Sequence, residues 1–381
     1  MEMIEKYITT YDVAEVDNNK VVFSNCSYNS ICELDLATNK CRILSSFISE
    51  DPFSKTLYKR CVRYLEKIFF APAWAKSIAV YNYKKNKCKY IPIRECIGKY
   101  NEHISHVDAI GMVFAIDGFV YMCGYFYPAI LKIDATTLQV TYIDDWVEEV
   151  DKKIPKDDTC GFIGYGYWDD KDYIYLPISG APGIIRINKH NDKTKIIWIE
   201  TEINGFCTLS QHENKLWMIE SKSKTGILIV YDVITGKTEE IKYEVANDKL
   251  QPYSVPYFEQ NLLLLLPIRE DKAIIIDINS KKVDVIEEML PFTSGTPTFF
   301  VETILFSKRI GNYILWCSGL DYCWYKYDIT SRKLEKMSIE LENYDYMDEA
   351  IKNYVKKNNS VLLKEGQTGL SNYLRIVKCI D

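Results

Sequence analysis

Two histidines three residues apart, His103 and His106 in the run HISH, are the first pair here whose type and spacing suit chemistry. On one helix face they could share a metal ion. No acidic third ligand is marked nearby, so the run reads as a solvated loop and no metal is expected. Glu220, Glu270 and Asp321 offer carboxylates, and Arg269 lies beside Glu270. Paired carboxylates about 5–9.5 Å apart cleave glycosidic bonds. Trp74, Tyr125, Phe126 and Tyr127 offer flat rings for stacking. The chain has four histidines and no Gly-x-Ser-x-Gly, so a Ser-His-Asp site has little material. GFIGYGYWDDKD (161–172) has glycines but no Lys-Ser/Thr after them, so it is not a phosphate loop. No cofactor signature is present, and none is expected.

Whether these residues meet depends on the elements that carry them. A chain of 381 residues exceeds what one hydrophobic core usually fills. It is therefore two domains, or one fold whose core is spread over many units. Apolar residues make up 47 % and charged residues 26 %, which suits a globular chain. The net charge of −6 argues against nucleic acid as a partner. The longest apolar run, Leu262–Leu266, is far too short to cross a bilayer, so no membrane insertion is expected. The start, MEMIEKYITTYDVAEVDNNK, has no apolar export signal, so a cytoplasmic location is expected. The twelve cysteines contain no Cys-x-x-Cys pair and read as reduced apolar fillers.

An internal period supplies the architecture. An apolar run ending in Asp or Asn, followed by a turn, recurs at Asp35, Asn82, Asp134, Asn188, Asp232, Asp277 and Asp328. The intervals are 47, 52, 54, 44, 45 and 51 residues. Asp or Asn there can accept a backbone hydrogen bond two residues on and start a turn. Asn39, Asn86, Asp192 and Gly236 sit four residues later, where a hairpin needs positive φ. Leu138, Lys281 and Arg332 depart from that preference, and turns of another type are expected there. A matching strand precedes each turn strand: KVVFS, KIFFA, FVYMC, YIYLP, KLWMI, LLLLLP and YILWC. With a weaker strand before and one after, each unit has four strands. Four strands per 44–54 residues, repeated seven times, is the blade period of a propeller. The fold class expected is all-β: a seven-bladed β-propeller of four-stranded antiparallel blades over 1–340, with a partly helical extension over 341–381.

The apolar-Asp-x-x-Thr-Gly-Lys element, clearest at Tyr231–Lys237, resembles the strand-turn of YVTN-like repeats. The units resemble blades of the YVTN, kelch and NHL-type propeller superfamily over about residues 5–340. The double Gly of kelch blades and the Gly-His…Trp-Asp signature of WD40 blades are absent. The resemblance implies architecture, and it carries over no catalytic residue.

In a propeller the Asp turns lie on one face. Loops between second and third strands, and between blades, lie on the other, which carries ligands in many propellers. Blades 2 and 3 place Trp74, Tyr125, Phe126 and Tyr127 in those loops; blades 5 to 7 place Glu220, Arg269, Glu270 and Asp321 there. The favoured reading is a binding or scaffold module for a protein, peptide or carbohydrate ligand. The alternative is a lyase or hydrolase at the channel mouth. Ring closure is expected from MEMIEKY as an outer strand on the last blade, or from YLRIVKCI.

Overall fold

A computed structural model describes residues 8–27, 29–47, 50, 54, 56–94, 110–155, 161–222, 226–244, 251–290 and 302–343. Seven antiparallel sheets of four consecutive strands form the blades. Blade 1 uses Ala14–Asp17, Lys20–Asn25, Ser30–Asp35 and Lys40–Ser46. The inner strands of blades 2 to 7 are Tyr58–Tyr64, Ile110–Ile116, Trp168–Asp169, Phe206–His212, Tyr257–Glu259 and Ile304–Ile310.

Middle strands carry continuous apolar runs because both of their faces are covered. Lys67–Pro72 and Lys215–Glu220 are buried along almost their whole length. Outer strands such as Lys87–Pro92 are partly open to solvent. Seven clusters of buried side chains fill the seven seams between neighbouring blades. Ile314 in the seam of blades 6 and 7 has no exposed surface. Truncating such a side chain to alanine costs about 2–5 kcal/mol.

The Asp turns behave alike. Asp35, Asp134, Asp232 and Asp277 each accept two backbone N–H groups through Oδ1, from two and three residues on. The expectation of different turns at Leu138, Lys281 and Arg332 is corrected. All seven residues at that position take φ between 48° and 70°. Leu138 N and Lys281 N bond to the carbonyls of Asp134 and Asp277, as Gly236 N does to Asp232. The Asp-anchored turn imposes the left-handed conformation whatever side chain stands there.

Closure is visible at two places. The entry segment packs Ile8 and Val13 into the seam of blades 7 and 1, and Trp324 Nε1 donates to Ile8 O at 2.6 Å. After blade 7, Glu340–Leu341 adds in parallel to the outer strand of blade 1, opposite Lys40 and Cys41. Asn343 then holds Ile43 by both its amide groups, at 2.7 and 2.9 Å. Each blade completes its four strands from one continuous stretch of chain. MEMIEKY, YLRIVKCI and the expected helix after Asn343 lie outside the described residues.

Two outcomes follow from the turns. Arg332→Gly relieves a left-handed non-glycine residue and should stabilise the protein by about 1 kcal/mol in urea unfolding, whereas Gly236→Ala should destabilise it similarly. The five turn aspartates, 35, 134, 232, 277 and 328, have carboxyls held below the usual range, chiefly by backbone N–H donors. A depressed folded pKa stabilises above the unfolded value of about 3.9 and is lost as pH falls through the folded value. The thermal midpoint should therefore drop as pH falls below about 4, and less steeply in an Asp134→Asn/Asp232→Asn/Asp277→Asn variant.

Candidate functional site

The inner strands surround a cavity of about 300 Å³. Its lining includes residues from the segments that enter the inner strands: Tyr11 and Asp12, Gln251 and Ser254, and Glu302. Ile268, from the loop between the second and third strands of blade 6, also contributes. These residues lie at the end opposite the Asp turns, and Ser210, Lys308 and Arg309 continue the lining along the inner strands toward the Asp-turn end.

Asp12 ties three blades at the closure. Its carboxylate accepts Val13 N at 2.8 Å and Cys61 N at 3.1 Å, and it lies 3.5 Å from Lys308 Nζ. Burial disfavours the charge on Lys308, but Asp12 and further negative groups outweigh it and raise its pKa. Lys308 is thus a held ammonium and not a base at neutral pH. Arg60 donates from Nε to Gly111 O at 2.9 Å and from Nη1 to Tyr11 O, with its guanidinium 4.9 Å from the Tyr165 ring centre. Arg269 meets Glu302 at 3.6 Å, and Arg309 meets Glu259 at 2.7 Å. Tyr257 donates to Ser307 Oγ at 2.9 Å, and burial pushes its phenol pKa up.

The stretch GFIGYGYWDD positions Tyr165 and Tyr167 on this wall. Tyr165 forms a parallel bridge with Thr208, through Tyr165 N to Cys207 O at 2.7 Å and Leu209 N to Tyr165 O at 2.8 Å. The glycines make this approach possible. Gly166 has φ +79°, and a Cβ there would sit 1.9 Å from Leu209 O; one at Gly164 would sit 2.5 Å from Cys207 O.

None of the eight residues proposed from sequence lines this cavity. The ring of Tyr125 is 6.3 Å from that of Tyr165 and 4.6 Å from that of Phe126. Trp74, Tyr125 and Phe126 are half-buried. Tyr127 is buried, and its hydroxyl donates to Arg94 O at 2.6 Å. Glu220 is buried, and its Oε1 accepts Gly226 N and Ile227 N at 2.7 and 3.1 Å. Glu270 is buried, and Arg269 reaches the cavity rim through Glu302. Asp321 turns outward along blade 7, where Tyr325 and Lys336 donate to it at 2.6 and 2.9 Å. These donors, working against burial, lower its pKa. His190 pairs with Asp172 and His212 stacks on Phe258, both on the Asp-turn face; His103 and His106 lie outside the described residues. Among the described residues no group of three His, Cys, Asp or Glu side chains could hold a metal. No described helix is long and apolar enough to cross a membrane.

None of the lining residues was among those proposed from sequence: Tyr11, Asp12, Gln251 and Glu302 stand in the segments between units, and Arg60, Thr208, Tyr257, Lys308 and Arg309 stand on inner strands. The segments between units carry no repeating pattern, and the repeat itself does not mark which inner-strand side chains face the channel. Gly166→Ala tests how the wall is built: it should destabilise the protein by more than about 2 kcal/mol in urea unfolding, because left-handed strain adds to a backbone collision.

Comparisons with known proteins agree on the fold. No family model matches, and no curated protein sequence matches. Among solved structures, a streptogramin B lyase is similar at TM-score 0.59 and 14 % identity, covering 88 % of this chain and 94 % of that one. A chain of the mitotic checkpoint complex is similar at 0.54 and 8 % identity, covering 87 % and 89 %. BamB from Moraxella catarrhalis is similar at 0.50 and 11 % identity, covering 82 % and 83 %. At these identities the likeness extends to architecture alone, and the chain is a seven-bladed β-propeller.

Proposed function

We propose that the protein is a binding module that takes a protein segment, peptide or glycan at the channel mouth. The observation that carries this reading is the composition of the mouth. A row of rings, Phe126, Tyr125 and Tyr165, leads to a cavity large enough for one side chain or one sugar ring. Its charged side chains are engaged with one another or with backbone carbonyls. Trp74, half-buried on blade 2, would extend the aromatic surface. Arg269, at the rim, would orient the ligand.

The alternative is a lyase or hydrolase with its active site at the same mouth. It needs an acid and a base aimed at one point. The described lining holds no histidine, and Lys308 is kept protonated by Asp12. This favours the binding reading.

The test is capture from cell extract, followed by titration of whatever is retained. Tyr125→Ala and Trp74→Ala should each fold and weaken capture at least tenfold. Capture unaffected by both changes would remove the aromatic face from the site. Product formed from a retained small molecule, and lost in Tyr125→Ala, would replace binding by catalysis.

A further inference from the structure

A second cavity, of about 470 Å³, lies beside the closure seam. Its apolar lining is Ile8, Tyr322, Trp324, Met337 and Ile339, with Lys336 beside them. None of these residues lines the channel cavity. Lys336 and Met337 belong to the outer strand of blade 7, Lys333–Met337. Among the described residues no strand pairs with the outer edge of that strand. The matching strand of blade 1 is covered by Glu340–Leu341. An open outer edge is common to blades 2 to 7 and by itself names no partner. Here it stands next to an apolar cavity, and one segment of the chain starts at that cavity.

Chain continuity points to the occupant. Ile8 is fixed at the cavity: its side chain is buried in the seam of blades 7 and 1, and its carbonyl is held by Trp324. Tyr7 is one peptide away, about 3.8 Å between Cα atoms. The segment after Asn343 starts elsewhere, at the outer strand of blade 1, where Asn343 holds Ile43. Reach fits as well. Seven extended residues span about 23 Å, against about 17 Å for the five of Lys333–Met337. So does composition. Residues 1–7, MEMIEKY, carry Met1, Met3, Ile4 and Tyr7 for an apolar lining. Glu2 and Glu5 are opposite in sign to Lys333 and Lys336, both exposed on the outer strand. In an extended segment Ile4 shares the side of Ile8, which is the cavity side.

We propose that this cavity is the seat of residues 1–7 of the same chain, with Ile4 in the cavity and the backbone laid along the open edge of Lys333–Met337. Seated there, the segment clasps blade 7 as Glu340–Leu341 clasps blade 1. The proposal is independent of what the channel binds.

The experiment uses the full chain with the photo-crosslinking residue p-benzoylphenylalanine in place of Ser338. Ser338 lines the cavity and is exposed, so the replacement spares the fold. Equal amounts of isotope-labelled and unlabelled chain are mixed and irradiated, and mass spectrometry maps the joined peptides. Position 338 should be joined to Met3 or Ile4 of the same chain. Tethering alone keeps Tyr7 close, so the capture is repeated with Ile4→Asp and Ile4→Leu. Ile4→Asp puts a charge into an apolar seat and should abolish capture at positions 3 and 4, with circular dichroism unchanged. Ile4→Leu should retain it. Capture of residues 344–381 or of a second copy would give the cavity another occupant and overturn the proposal. Capture of Tyr7 alone, capture that survives in Ile4→Asp, or no capture would show that residues 1–7 have no seat there, and would overturn it too.

Discussion

The seam between blades 7 and 1 is the contact on which the rest depends. Seven twisted sheets packed face to face bury both faces of every middle strand only if the seventh returns to the first. Here the first and last blades are far apart in sequence, and the seam joins them through Ile8, Val13, Phe306, Trp324 and Met337. Trp324 holds the carbonyl of Ile8, and Lys308 holds Asp12. Asp12 reaches on to the backbone of Cys61 in blade 2. One carboxylate thus links the last, first and second blades. The strand Glu340–Leu341 and the two amide bonds of Asn343 extend the joint to the outer edge of blade 1. An edge that would otherwise offer unpaired backbone groups is partly covered.

The same closure shapes the cavity. Asp12 and Lys308 satisfy each other at its wall because the seam brings the entry segment against the inner strand of blade 7. Arg60 is turned onto the carbonyls of Tyr11 and Gly111, which keeps its charge from dominating the space. Charge in the wall is therefore spent on holding blades together. Blade 4 contributes through an unusual approach, in which Gly164 and Gly166 let its chain bridge directly to blade 5. The ring is thus regular at its rim of turns and irregular at the mouth.

Much of the architecture was legible because its signals are local. An Asp whose carboxylate accepts the N–H groups two and three residues on writes the turn into five or six consecutive residues. Asp134 with Thr136 and Thr137, and Asp232 with Ile234 and Thr235, are examples. Even there a local rule was too strict: Leu138, Lys281 and Arg332 adopt the left-handed conformation that residue preference reserves for glycine and asparagine. The carboxylate and the strand pairing on both sides outweigh a penalty of about 1–2 kcal/mol. The loop residues were harder to place. Glu220 reads as an exposed acid in sequence, yet its carboxylate folds back on Gly226 and Ile227. Asp321 reads the same way and closes on Tyr325 and Lys336 along its own blade.

By itself, then, the sequence determined the number of blades, the strand order within each, and the face that carries the Asp turns. Continuous apolar strands and short-range hydrogen bonds mark each unit of about fifty residues, and the recurrence of the unit gives the number of blades. Only the tertiary structure decided which loop side chains face the channel and which turn inward. It also decided that Asp12 meets Lys308, and that Thr208 and Gln251 end up buried without a partner. The first of these depends on side-chain contacts no repeat pattern encodes, and the pairing of Asp12 with Lys308 depends on segments hundreds of residues apart that closing the ring brings together.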